Sequence, residues 1–424
     1  MKFKNVIFIF IIAFNWAFAN DELEVLLSTQ SPLTFIHVSN FNKEQSSFDQ
    51  SYINSLQKVL EFDLNYNGKT TVVKEFKDKI PLSVKVKIVK KELLIDVITS
   101  AKQKTSSSIS LSGILDVDRR RIHLMHDELM QKLFNVRGIA ALRLLYTVRI
   151  PNPYEGGQKW LSEVWMCDYD GNNRKQITFE NNYCVHPIFL PEKRDRFIYV
   201  SYKTGMPKIY ESNIKNTFSR PVLSIRGNQL LPAVAVNKIA FICDAAGRPD
   251  LFLQKTDVEG KEAGKAIQLF AAPRSTQASP AFSPDGNKIA FVSDKDGSPR
   301  IYMIKISEEE IHERPLAHLL TRKNGENVSP SWSCDGTKLA FSAKTDGVRQ
   351  IWVYDFITGE EWQLTKGPES KENPVWAPDN LHIVYNTEDK ESSELYIINL
   401  NQQQAVKISA GVGKKRFPVW EPYQ

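Results

Sequence analysis

Ser279–Asp294 reads SPAFSPDGNKIAFVSD, and the stretch recurs along the chain. Ser329–Ser342 (SPSWSCDGTKLAFS) and Asn373–Asn386 (NPVWAPDNLHIVYN) are close copies. His186–Ser201 (HPIFLPEKRDRFIYVS) and Leu231–Cys243 (LPAVAVNKIAFIC) are looser ones, and Phe417–Gln424 (FPVWEPYQ) ends the chain on a partial copy. Pro187, Pro232, Pro280, Pro330, Pro374 and Pro418 mark the copies at intervals of 44 to 50 residues. Self-similarity at such a period signals a repeat array.

Each copy reads as antiparallel β structure. Ala281-Phe282-Ser283 predicts a short strand. In Ser283-Pro284-Asp285-Gly286 the proline fixes φ, the aspartate bonds nearby backbone and the glycine accepts positive φ, which together make a hairpin turn. Ile289, Phe291 and Ser293 then alternate with Ala290 and Val292 on a second strand. Arg300-Ile-Tyr-Met begins a third, and His318-Leu-Leu-Thr is a fourth. Four strands per repeat describe one propeller blade. The third strands agree across the chain, at Glu163–Met166, Lys208–Glu211, Asp250–Leu253, Arg300–Met303, Gln350–Val353 and Glu394–Ile397. So do the fourth, at Gln176, Val222, Gln268, Leu319, Gln363 and Lys407. The first unit, from Leu144, lacks its innermost strand, and the last copy, Pro418–Glu421, is an innermost strand with nothing after it. Six blades closed by the C-terminal strand follow, an arrangement that leaves no open sheet edge in the ring.

Upstream, the period changes. Leu33–Ser39 predicts a strand, and Ser51–Leu64 places Ile53, Leu56, Val59, Leu60 and Leu64 on one helical face. Short strands follow at Thr71–Phe76, Leu82–Ile88, Leu93–Thr99 and Ser108–Val117, then a helix over Arg121–Phe134. The fold class is therefore multi-domain: a small N-terminal α+β domain over 32–137, then an all-β six-bladed propeller over 142–424.

Residues 1–19 read as a secretory signal peptide, with Lys2 and Lys4 before an apolar core and Ala17-Phe18-Ala19 as the cleavage site. A membrane anchor is the alternative reading, and the core is too short to span. Residues 20–31 form an N-terminal arm. The formal charge is +6, and without the leader 53 basic residues face 49 acidic ones. Neither this balance nor export suits a nucleic-acid partner. The four cysteines have no metal spacing and read as small buried apolar residues; Cys167–Cys184 is the only pair whose spacing allows a disulfide.

Little chemistry is legible. No G-x-S-x-G occurs, so a prolyl-peptidase would lack its catalytic half. His123 and His126 lie one helical turn apart without further ligands, which fits a solvated or interdomain helix face better than a metal pair. Asp285, Asp335 and Asp379 are turn residues. Catalytic residues, metal and cofactor are all expected to be none.

Signal peptide, small α+β domain, six blades with the SPDGxKIAF pattern and the ending Arg416–Gln424 resemble the TolB family, periplasmic proteins of the Tol–Pal system. The resemblance spans the mature chain, though the first domain is shorter than usual for that family. It implies a non-enzymatic periplasmic scaffold supporting outer-membrane integrity and envelope constriction at cell division. It also implies two partners: the Pal lipoprotein on the propeller and TolA on the N-terminal arm. Loops leading into the innermost strands carry Arg226, Arg274, Arg322, Lys323, Lys414, Lys415 and Arg416. The Pal face is accordingly expected at Arg226, Asn228, Arg274, Gln277, Arg322 and Asn327. In the arm, Glu22 and Glu24 alternate with Leu23 and Val25, a pattern able to add an edge strand to another sheet; with Asp21 these are the expected TolA contacts. The rival reading is a secreted propeller enzyme, a hydrolase or lyase acting at the channel mouth.

Overall fold

The structure is a computed structural model and describes residues 31–44, 46–74, 80–153, 158–191, 193–216, 218–306 and 315–423. The leader and the arm residues Asp21, Glu22, Leu23, Glu24 and Val25 lie outside the described residues. Among the described residues, no helix is long and apolar enough to cross a membrane.

The N-terminal domain runs β1 (Thr34–Val38), β2 (Asn42–Glu44), α1 (Gln50–Asn65), β3 (Thr70–Val73), β4 (Leu82–Val89), β5 (Glu92–Thr99), β6 (Lys104–Ser110) and α2 (Leu115–Phe134). Its sheet has the order β3-β1-β4-β5-β6, with β2 also paired to β4. Strict alternation in β4 turns Leu82, Val84, Val86 and Ile88 inward against Ile53, Leu56 and Leu60 of α1 and Ile122, Met125 and Leu129 of α2. Asp49 caps α1 by accepting from the Tyr52 amide at 2.8 Å.

One expectation needs correcting. The strand expected over Ser108–Val117 stops at Ser110, and α2 begins at Leu115 rather than Arg121. The buried Asp118 carboxylate decides this. It accepts from the Ser112 and Gly113 amides at 2.9 Å each, and Gly113 turns the chain at φ +84°. An acid in the first helical turn that satisfies preceding amides starts the helix early.

Six four-stranded antiparallel sheets make the propeller. Blade four is representative: Gln277–Phe282, Lys288–Ser293, Arg300–Lys305 and His318–Leu319, from channel to rim. Blade one joins Lys414–Trp420 from the C-terminus to Arg143–Pro151, Trp160–Asp168 and Lys175–Gln176, so the ring closes as the split repeat requires. The SPDG turns form as expected: Gly286 and Gly336 sit at φ +68° and +71°, and Asp285 accepts from the Asn287 amide at 3.1 Å. The second strand of every blade carries one aromatic at the same place: Tyr146, Tyr199, Phe241, Phe291, Phe341 and Tyr385, none more than 3% exposed. Each belongs to a different hydrophobic cluster, so these rings knit each blade to its neighbour. Burying one such ring is worth roughly 1.5–3 kcal/mol. Cys167, Cys184 and Cys243 are buried free thiols, and Cys334 is free and exposed.

Candidate partner-binding faces

Strand alternation gives the ring two faces. One carries the first hairpin of each blade and the turn between its third and fourth strands. The other carries the loops into the innermost strands and those joining second to third strands.

The α+β domain takes the hairpin face, over blades one and six. His382 Nε2 lies 2.9 Å from the Tyr66 carbonyl at the end of α1, and Asn401 Nδ2 donates to the Gly68 carbonyl at 2.8 Å. The Ser31 amide donates to Asn401 Oδ1 at 3.1 Å, which fixes the base of the arm on blade six. Tyr423 Oη donates to the Arg137 carbonyl at 3.1 Å and lies under the Arg137 guanidinium. A cleft of about 480 Å³ remains between the domains, lined by Asn67, Lys69, His126, Lys338, Asn380 and Tyr423 among others. His123 and His126 are fully buried in this joint, the interdomain alternative rather than the solvated one.

The opposite face opens onto the central channel, a cavity of about 300 Å³. Its wall repeats one device. Each innermost strand skips register around its proline, and the residue before that proline sits at positive φ: His186, Leu231, Ser279, Ser329, Asn373 and Phe417, between +45° and +54°. A residue before proline normally stays extended, so six left-handed ones are a strained bulge held by the sheets. None is β-branched, the side-chain class least able to adopt that conformation. The lumen is two-sided. His186 packs against Phe417 with the rings tilted by 36° and centroids 3.9 Å apart, beside Leu231. Across from them Ser329 Oγ donates to Asn373 Oδ1 at 3.3 Å. Burial pushes the His186 imidazole down to about 4, so it is neutral near pH 7.

The six residues expected on this face divide. Arg226, Arg274 and Arg322 are exposed, and none is ion-paired among the described residues. Asn228 holds its loop down: its amide and Nδ2 donate to the two Asp244 oxygens at 2.7 Å each. Gln277 and Asn327 face inward, at 1% and 0% exposure, which corrects their expected place at the surface. Gln277 Oε1 accepts from Ser293 Oγ at 2.7 Å, and Asn327 Nδ2 donates to the Asn324 carbonyl at 2.8 Å. They are the first residues of innermost strands, where an amide side chain satisfies the turn behind it. The same applies to Gln229, which binds the Ile209 amide and the Ile225 carbonyl of the preceding blade.

Lys414, Lys415 and Arg416 also leave the basic loop set. They lie on the closing strand, where Lys415 is 2% exposed and reaches Glu394, Lys414 donates to the Asp389 and Lys390 carbonyls, and Arg416 pairs with Glu388. Lys323 is likewise turned back, donating to the Glu361 carbonyl at 2.7 Å. Asp244 and Glu361 were not singled out from sequence, because each lies far along the chain from the loop it holds.

Among the described residues no group of His, Cys, Asp and Glu is arranged to hold a metal ion. Fold and faces together define a two-domain β-propeller protein, one face of its ring capped by an α+β domain and the other open.

A family model described as the TolB beta propeller domain matches residues 130–424. "Protein TolB homolog" of Protochlamydia amoebophila is 44% identical over 384 residues, 83% of this chain and 82% of that protein. "Protein TolB homolog" of Chlamydia felis is 36% identical over 239 residues, 55% of this chain and 56% of that one. The crystal structure of TolB from Acinetobacter baumannii shares the fold, with a TM-score of 0.75 at 20% identity over 93% of this chain and 98% of that chain. The chain belongs to the TolB family.

Proposed function

We propose that this protein is a periplasmic, non-enzymatic scaffold of the Tol–Pal system, with a mature chain of arm, α+β domain (32–137) and propeller (142–424). The open face binds the Pal lipoprotein and the arm binds TolA, and the assembly supports outer-membrane integrity and envelope constriction during division. The observation that carries this reading is the open channel face, where Arg226, Arg274 and Arg322 are exposed and unpaired among the described residues, while the α+β domain covers blades one and six of the opposite face. Rigid blades that present exposed loops suit protein recognition. Membership of the TolB family supports the choice of these partners. Titration of the mature protein with the purified soluble domain of Pal, and separately with the C-terminal domain of TolA, tests it. Saturable one-to-one binding of both is expected, and binding of neither would overturn the proposal.

A further inference from the structure

The joint between the α+β domain and blade one buries more charge than a domain contact needs. Asp63 of α1, Asp168 and Asp170 of the blade-one turn, and Arg119 and His123 of α2 are all at most 9% exposed. Arg120 of α2 is the partly exposed member, its Nη1 lying 3.5 Å from Asp168 Oδ1. Arg119 pairs with Asp170. Three carboxylates thus meet two guanidinium groups and one imidazole.

The imidazole geometry is the decisive part. His123 Nδ1 lies 2.9 Å from Asp63 Oδ2, and Nε2 lies 3.6 Å from Asp170 Oδ2. Both ring nitrogens face carboxylates. A neutral imidazole has one N–H, so either tautomer would turn a lone pair on an anionic oxygen. The imidazolium alone presents an N–H to both carboxylates, Nε2 being buried without a hydrogen-bond partner beside Asp170, and with it three negative charges meet three positive ones. The remaining neighbours do not supply that charge. Tyr169 donates its hydroxyl to Asp63 Oδ1 at 2.9 Å and packs edge-on against the His123 ring, and Asn173 Nδ2 donates to Asp168 Oδ2 at 2.6 Å. The turn is closely packed, with Gly171 against the Ile408 carbonyl of blade six, where a Cβ would come within 1.5 Å.

We propose that this joint is a proton-operated lock: His123 with its proton clamps α1 and α2 to blade one, and loss of the proton releases them. Burial opposes the charge on His123, but Asp63, with Asp170 and Asp168 beyond it, outweighs burial and raises the pKa. A raised pKa in the folded protein fixes the direction. The clamp is complete below the ordinary histidine value of about 6.5 and weakens as pH climbs through the raised one. Ser31, at the base of the arm, is bonded to Asn401 of blade six, so the arm's base keeps its own anchor beside the lock.

The test uses the full mature protein. The imidazoles of its seven histidines are titrated by NMR, with His123→Gln assigning the signal. Hydrogen exchange of α2, corrected for the intrinsic pH dependence, is followed from acid to alkaline pH. His123 is expected to titrate above the ordinary value, with α2 protection falling at least tenfold over the same interval while the propeller strands stay protected. His123→Gln should abolish the step. Asp168→Asn removes one carboxylate and should move the His123 midpoint to lower pH; this comparison carries the test if His123→Gln fails to fold. A His123 that titrates at or below its ordinary value, flat α2 protection across the range, or an unmoved midpoint in Asp168→Asn would overturn the lock.

Discussion

Glu421, three residues before the C-terminal Gln424, is held by Arg143, the first residue of the propeller's first strand. The Arg143 amide and Nε each donate to Glu421 Oε2 at 3.0 Å, and the Glu421 amide returns a bond to the Arg143 carbonyl at 2.8 Å. Arg194 of blade two adds a further contact at 3.1 Å. Glu421 is 1% exposed, so removing it strands cations that are only partly able to reach water. Glu421→Ala is expected to cost about 2–3 kcal/mol, read as a lower denaturant midpoint. Deleting Phe417–Gln424 removes the second half of the closing strand and exposes the Arg143 end of Arg143–Pro151, so this variant should also associate. A truncated protein that stays monomeric and melts like the parent would sink the closure argument.

Turn glycines separate strain from collision. A Cβ on Gly286 or Gly336 meets nothing nearer than 3.5 Å, so only their positive φ resists substitution. Gly286→Val and Gly336→Val should each cost roughly 1–3 kcal/mol. Gly171→Ala adds a backbone collision with Ile408 to φ +80° and should cost more despite its smaller side chain. Equal midpoints for all three variants and the parent would remove the turn assignment.

The division of the open face predicts two separable phenotypes. Arg274→Glu and Arg322→Glu change exposed side chains, so they should leave the melting temperature unmoved, weaken Pal binding several-fold and reduce its salt sensitivity. Gln277→Ala should do the reverse. It leaves Ser293 Oγ without its acceptor inside the blade, costs about 1–2 kcal/mol and alters affinity little. Calorimetric binding and unfolding of the same variants check both. Unchanged affinity in both arginine variants would place the Pal site elsewhere.

What the sequence could and could not reveal follows from the distance over which each feature is decided. The hairpin turns and the alternating second strands are local, and Ser283–Ser293 shows both within eleven residues. The closure was legible because the repeat is split between the two ends, so Leu144 and Glu421 could be matched by phase. The start of α2 was missed because Asp118 competes for amides that a strand would have used. The inward turn of Gln277 and Lys415 was missed for a related reason. A polar residue before a proline reads as a loop, whereas its partners Asp250, Ser293 and Glu394 come from neighbouring strands. The charge cluster at His123 joins residues from Asp63 to Asp170, and the sequence gives no local hint of it.

His186 gives the propeller an acid response of the opposite sign to that of His123. Its pKa is about 4 in the folded protein against about 6.5 when unfolded. As pH falls below the unfolded value the unfolded chain takes up the proton first, so stability drops until the folded value is passed. His186→Phe keeps a ring against Phe417 and removes the titration. Its melting temperature should fall less between pH 6.5 and 4 than the parent's, and parallel curves would refute the assignment.

The arm decides whether one molecule can serve two partners. Glu22 and Glu24 alternate with Leu23 and Val25, which suits strand addition to an exposed sheet edge, with Leu23 and Val25 filling pockets and the acids facing water. Ser31 is already bonded to Asn401, so a deletion that stops short of Ser31 leaves the anchor intact. Removal of Asn20–Val25 should therefore abolish TolA-domain binding while the melting temperature and Pal affinity stay at parent values. A fall in stability would instead make these residues part of the α+β domain's own packing. Retained TolA binding would exclude the arm as the contact. A linked change in Pal affinity would mean that Pal distinguishes a docked from a free arm, since a ligand shifts an equilibrium only through a difference in affinity for its states.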